Sequence, residues 1–215
     1  MTLGARTAAW AKSGSPTPTS YGGLRFTAEA ANSSVQLTAV GSAPTVTLVK
    51  SFDGVNWEDY AVGEVIDLPS IGDFVYLAAG EGGNETFYSS IKDFNKFYIN
   101  GLVAASGDIT SLRSFDLEQT KLVINCYGNI FNGCTGLTSA PELPAVTLAS
   151  TCYHRIFYGC THLSLIRVHF IAWGTQTFNW VSDVSPTGTF YKPSALPEAY
   201  GTNRIPTGWT VVNID

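Results

Sequence analysis

The residues of this 215-residue chain best suited to chemistry are four cysteines and three histidines. All four cysteines lie in two short stretches, CYGNIFNGC (126–134) and CYHRIFYGC (152–160), eight positions apart within each. Four thiolates could hold zinc, and so could Cys152, His154, Cys160 and His162. Zinc motifs, however, pair ligands across roughly two to four residues, whereas seven residues intervene here. The chain has no C-x-x-C motif for dithiol redox chemistry. It also has no G-x-S-x-G elbow, P-loop, dinucleotide fingerprint or H-E-x-x-H. No nucleophile–base constellation is nominated, so no catalytic residue, metal ligand or cofactor is assigned.

What the cysteines do show is a period. A shift of 26 residues superposes Cys126, Tyr127, Ile130, Phe131, Gly133, Cys134, Thr135 and Leu137 on Cys152, Tyr153, Ile156, Phe157, Gly159, Cys160, Thr161 and Leu163. A fainter leading unit places Gly107 on Gly133, Leu117 on Leu143 and Leu122 on Leu148. A period in the twenties predicts a solenoid in which each turn stacks on the next. The Cys-Tyr…Ile-Phe…Cys spacing fits one or two helical turns, while Pro141 and Pro144 keep SAPELP extended or turning. Stacked equivalent positions lie about 5 Å apart. That is within Cα range for a disulfide, but the Cβ atoms stay wider than the preferred ~3.8 Å. The expected arrangement is therefore a packing ladder of buried, reduced Cys126, Cys134, Cys152 and Cys160 beside Phe131, Phe157, Leu137 and Leu163. His154 and His162 stand where the first unit has Gly128 and Gly136. They are expected to face solvent and are candidates to face a ligand. His169 lies in the apolar run RVHFIAW, which reads as a strand.

These units are preceded by a β-patterned region. LRFTA, SVQLTAV, TVTLVKS, VIDLP, FVYLAAG and KFYINGLVAA alternate, are rich in β-branched and aromatic residues, and are separated by turn signals. Asp53-Gly54 marks a hairpin. An antiparallel sandwich over 24–106 is predicted. Trp57 and Tyr60, on the return strand, are candidates for a sugar-stacking platform; the reading the sequence favours is that Trp57 packs in the core. At the N-terminus, Thr2 could cap a short helix carrying Leu3 and Trp10. That helix either folds back or docks Leu3, Arg6 and Trp10 into a partner, with Ser15–Gly23 as linker.

Composition narrows the partners. Only 13% of residues are charged, as many as are aromatic, and the net charge is −5 with no basic run. This argues against nucleic acid. No apolar stretch approaches the ~20 residues of a membrane span, and MTLGARTAAWAKSG lacks the apolar core of a secretory signal. A protein made in the cytosol and not exported by that route is expected.

The run LPAVTLASTCYHRIFYGCTHLSLI (143–166) resembles the BspA-type leucine-rich repeat through Phe157-x-x-Cys160-x-x-Leu163-x-x-Ile166, as does Phe131-x-x-Cys134-x-x-Leu137. The fuller C-Y-x-x-I-F-x-G-C-T pattern is similar to repeat proteins of gut Bacteroidales and their phages. The tail from Asn179 to Asp215 and the stretches SFDGVNWEDYAVG and GLVAASGDI resemble other parts of those proteins, and the opening MTLGARTAAWAKSG resembles a leader of phage and prophage structural proteins. The chain departs from the pattern in having few repeats, with SLIRVHFIAWGTQTFNW replacing a further copy.

The resemblance implies a mainly β chain: an N-terminal docking segment and linker (1–23), an antiparallel β-sandwich (24–106), a short leucine-rich-repeat solenoid (107–170) and a C-terminal cap (171–215). It implies a non-enzymatic virion component (fibre, decoration or tail-associated protein) that meets other virion proteins through its N-terminus, presents the repeat to a host surface protein or glycan, and is open to homo-oligomerisation. The alternative is a bacterial cell-surface adhesin binding host matrix protein. A glycan-active enzyme is a third reading, for which no carboxylate pair stands out.

Overall fold

A computed structural model of the chain describes residues 23–113 and 122–214. The chain is mainly β, with one antiparallel and one mixed sheet. The predicted strands form with small shifts of boundary: β1 (Leu24–Ala28), β2 (Ser33–Val40), β3 (Leu48–Ser51), β4 (Glu58–Tyr60), β5 (Val65–Leu68), β6 (Phe74–Ala79), β7 (Tyr88–Ser90), β8 (Asp93–Asn100) and β9 (Val103–Ser106). Strict alternation of burial in β1 and over most of β2 shows why: one face of each strand enters the core and the other does not. Strands β5-β2-β8-β7 make the smaller antiparallel sheet, and β9-β1-β6-β3-β4 make antiparallel pairs in the larger one. The two layers meet in a shared core, where the rings of Phe26 (β1) and Phe97 (β8) are 4.9 Å apart. Gly54 has the positive φ (+76°) expected of the hairpin between β3 and β4.

The larger sheet does not stop at β9. Strand β10 (Leu137–Ser139) adds to β9 in parallel, and β11 (Leu165–Arg167), β12 (Thr189–Lys192) and β13 (Thr210–Asn213) follow in the same sense. The boundary expected at 106/107 is therefore a seam inside one nine-stranded sheet. The segment 171–215, expected to be a cap, contributes two of the parallel strands.

Opposite this sheet, the CYxxIFxGC stretches form neither strand nor helix. Each is a run of overlapping turns, and its main-chain bonds divide by parity. The N–H groups of Ile130, Asn132 and Cys134 donate three residues back, to Tyr127, Asn129 and Phe131, at 2.9–3.2 Å. Those of Asn125, Tyr127, Asn129, Phe131 and Gly133 donate outward, to the carbonyls of Ser150, Cys152, His154, Ile156 and Tyr158, at 2.7–3.1 Å. The expected helical turns are thus corrected. A helix sends every N–H along its own axis, whereas here alternate N–H groups hold the neighbouring rung. Left-handed residues every fourth position make this possible: Asn125, Asn129 and Gly133, then Thr151, Arg155 and Gly159. Asparagine and glycine tolerate that conformation best.

The ladder has a further step. Tyr153, Arg155, Phe157 and Gly159 donate to Gln176, Phe178, Trp180 and Ser182 at 2.8–3.2 Å. Asn179 and Asp183 have positive φ, matching Arg155 and Gly159. The stretch read as replacing a further copy is in fact a third rung, offset by 24 residues.

The place before the first rung is filled by the antiparallel region, not by the fainter leading unit. Phe87 and Phe97 donate their N–H groups to the carbonyls of Cys126 and Ile130 at 2.9 and 2.7 Å, and Lys96 Nζ donates to Asn132 O at 3.0 Å. Two aromatic columns cross this seam. Phe97, Phe131, Phe157 and Trp180 follow one another at 5.2, 5.7 and 6.3 Å. Phe87, Tyr127, Tyr153 and Phe170 do so at 6.2, 6.4 and 6.4 Å. The expected packing ladder of four cysteines, Phe131, Phe157, Leu137 and Leu163 is fully buried, and all four thiols are free.

Candidate interaction surface

The outward columns of the stacked rungs follow from the same register. Gly128, His154 and Phe178 occupy one column. Gly128 has no side chain because Tyr88 of β7 lies there: a Cβ on Gly128 would sit 2.8 Å from Tyr88 Cγ. The result is a row of rings running Tyr88, His154, Phe178. The His154 ring is 5.8 Å from Tyr88 and stacks flat on Phe178 at 5.6 Å and 5°. Exposure rises along the row: Tyr88 is buried, His154 half-buried, and Phe178 is 47% exposed. Beside it, the half-buried Arg155 guanidinium lies 5.3 Å from the Tyr158 ring. A flat aromatic strip edged by a cation can stack on an apolar ring face and donate hydrogen bonds to polar groups beside it.

Burial, and then the charge of Arg155, push the His154 pKa below its ordinary value. The folded protein therefore prefers neutral imidazole, and the unfolded chain takes up the proton first as pH falls. The His154 contribution to stability is complete above about pH 6.5 and declines as pH drops through that value towards the lowered folded one. Between pH 7 and pH 5 the melting temperature of the native protein is expected to fall by more than that of His154→Phe; equal falls would contradict this.

His162 is exposed, with Nδ1 2.6 Å from the Thr135 carbonyl. It belongs to a different column and does not join the strip. Its mate Gly136 is bare for the same kind of reason as Gly128: a Cβ there would collide with the carbonyl oxygen of Gly101. Both Gly-to-His differences between the units thus mark where the antiparallel region seats on the first rung.

Trp57 and Tyr60 do not form a platform. Three positions apart, they fall on opposite faces of the chain at β4. Tyr60 is buried, accepts from Leu37 N–H at 2.7 Å and donates to Glu64 O at 2.8 Å. It walls an open cleft of about 550 Å³ shared with Pro44, Val46 and Asp59. Trp57 is half-buried over the other face, 6.5 Å from the Tyr76 ring, and so is not in the core either. Leu3, Arg6 and Trp10, and the proposed helix capped by Thr2, lie outside the described residues.

The nearest acid–base grouping is His169 Nε2 with Glu142 Oε1 at 2.7 Å. His169 follows β11 in the chain, and only Val168 of its run makes a bridge, to Leu143. Asp108 is close enough to feel both charges; burial raises its pKa, against a hydrogen bond from Thr110 N–H. The hydroxyl of the nearby Ser111 accepts from Leu24 N–H and donates to Asp108 O, so it is committed to main-chain groups. The pair links the two repeat units across a spacing of 27 residues. Among the described residues no cluster of three or more His, Cys, Asp or Glu side chains is placed to hold a metal ion, and no helix is long and apolar enough to cross a membrane.

No family model matches the chain, and neither a curated protein nor a solved structure matches it. Tyr88, Arg155, Tyr158 and Phe178 are not singled out by sequence. The signal that would have found Phe178 is the 24-residue offset, at which it follows His154.

Proposed function

We propose that the chain is a non-enzymatic recognition and structural module: a β-sandwich that seats a short leucine-rich-repeat solenoid and presents its outer turn face to a partner. The carrying observation is the strip Tyr88, His154, Phe178 with Arg155 and Tyr158, mounted on rungs that the main chain holds in register. The partner class is a glycan on a host surface, recognised by ring stacking and hydrogen bonds. The likeness of the opening segment and tail to phage structural proteins places the module on a virion, attached through Leu3, Arg6 and Trp10. A cell-surface adhesin is the alternative and shares the same face.

The test has two arms. Glycan-array binding by the full chain should fall at least tenfold in the double variant His154→Ala/Phe178→Ala and persist in His162→Ala. Unchanged binding in the double variant, or no glycan bound at all, would sink the glycan reading. Deleting residues 1–14 should abolish incorporation into particles, and normal incorporation would remove the virion attachment.

A further inference from the structure

The two cysteine columns are not equivalent. Cys134 and Cys160 each donate their thiol hydrogen to a carbonyl one layer back, Phe97 O at 3.0 Å and Phe131 O at 3.1 Å. Cys126 and Cys152 instead hydrogen-bond to each other. The main chain holds this second pair side by side: Tyr127 N–H donates to Cys152 O at 3.1 Å, and the bonds from Asn125 to Ser150 and from Asn129 to His154 fix the register on either side. The charge of buried Arg113 acts on Cys126.

We propose that Cys126 and Cys152 are a reversible disulfide site joining the first two rungs, while Cys134 and Cys160 are inert packing. This is independent of what the outer face binds. Adjacent rungs bring Cα atoms to about 4.8 Å, inside the disulfide range, but the Cβ atoms must close by about 1 Å to reach their preferred spacing. The resulting bond is strained, and strained disulfides are the readily reduced ones.

Protonation favours the same division. Burial pushes the Cys126 thiol up, but its hydrogen bond with Cys152 and then the Arg113 charge outweigh this, so its pKa lies below the ordinary value. That of Cys152 is raised, first by the bond to Cys126 and then by burial. The pair is thus a thiolate beside a thiol that keeps its proton. Burial holds Cys134 up to about 12 and raises Cys160 as well, leaving both protonated.

With hydrogen peroxide as oxidant the chemistry closes. The Cys126 thiolate attacks one peroxide oxygen, the O–O bond breaks, and the departing hydroxide is protonated to water, leaving Cys126 as sulfenic acid. The Cys152 sulfur then attacks the Cys126 sulfur, the S–O bond breaks, and hydroxide leaves with the Cys152 proton as a second water. Two thiols are oxidised to one disulfide, and one peroxide is reduced to two waters.

The experiment exposes the reduced full chain to hydrogen peroxide, alkylates under denaturing conditions and maps peptides by mass spectrometry. A reductant-sensitive Cys126–Cys152 link is expected at least tenfold faster than any Cys134–Cys160 link. In Cys152→Ser the link disappears and Cys126 is trapped by dimedone as sulfenic acid. Links forming at equal rates in both columns, thiols all remaining reduced where free cysteine is oxidised, or rapid alkylation of all four in the native state would each overturn the assignment.

Discussion

Gly136→Ala is expected to destabilise the protein at the high end of the roughly 1–3 kcal/mol typical of overpacking, or beyond it. The new Cβ would fall on the carbonyl oxygen of Gly101, with that carbonyl carbon at 3.2 Å and Ile99 Cγ2 also at 3.2 Å. A flexible side chain could yield, but this is backbone. Gly101 is itself fixed in a left-handed turn (φ +74°) between β8 and β9, against Ser33. The Gly136 carbonyl also accepts from Val103 N–H at 2.9 Å, so any retreat would break the bond that starts the parallel extension of the sheet. For a chain of this size each kcal/mol lowers the melting temperature by roughly 2–4 °C. The comparison is His162→Gly at the equivalent exposed position, where the change should stay within about 0.5 kcal/mol. Melting temperatures of the two variants check this, and a Gly136→Ala protein that melts with the native one would mean that the seam can shift freely.

Phe131→Ala should cost about 3–5 kcal/mol, the range for removing a buried phenylalanine. Its ring has no solvent exposure and sits between Phe97 at 5.2 Å and Phe157 at 5.7 Å, with Phe26 at 6.2 Å. Against a total of about 5–15 kcal/mol that is a large fraction. The same contacts make a prediction about cooperativity. The buried apolar side chains of the antiparallel region and the rungs form one continuous cluster, so urea should unfold both in a single transition, with the midpoint lowered and the slope unchanged in the variant. Phe178→Ala, removing a ring 47% exposed, should shift the midpoint far less. Two separate transitions in the native protein would show that the seam does not couple the regions.

Much of this architecture was legible in the sequence because it rests on local periodicity. Alternation over LRFTA and SVQLTAV locates β1 and β2, since a pleated strand sends successive side chains to opposite faces. The 26-residue superposition identifies Cys126, Phe131, Cys134 and Leu137 and their mates as inward columns, since equivalent residues of stacked turns share one environment. The conformation of the stretch between was not legible. CYGNIFNGC carries a helix-compatible spacing, and only the hydrogen bonds to the next rung pull alternate N–H groups out of line.

The candidate face was legible in part. His154 was marked by differing from Gly128, but its neighbours Tyr88 and Phe178 lie far from it in the chain and follow no shared period. The same gap accounts for Trp57 and Tyr60: their closeness in sequence suggested one platform, and strand parity sets them on opposite faces.

The amino-acid sequence by itself therefore determined the strand pattern of 24–106, the repeat and its period, and which side of each unit is apolar. Tertiary structure alone decided that the antiparallel region takes the place of the rung before Cys126, that a third rung follows at 24 residues, and that glycine is required at 128 and 136 but not at their mates. The physical reason is that inward columns are selected by burial, which each unit's own pattern records. The seam is set by where a carbonyl of Gly101 and a ring of Tyr88 arrive from elsewhere in the chain.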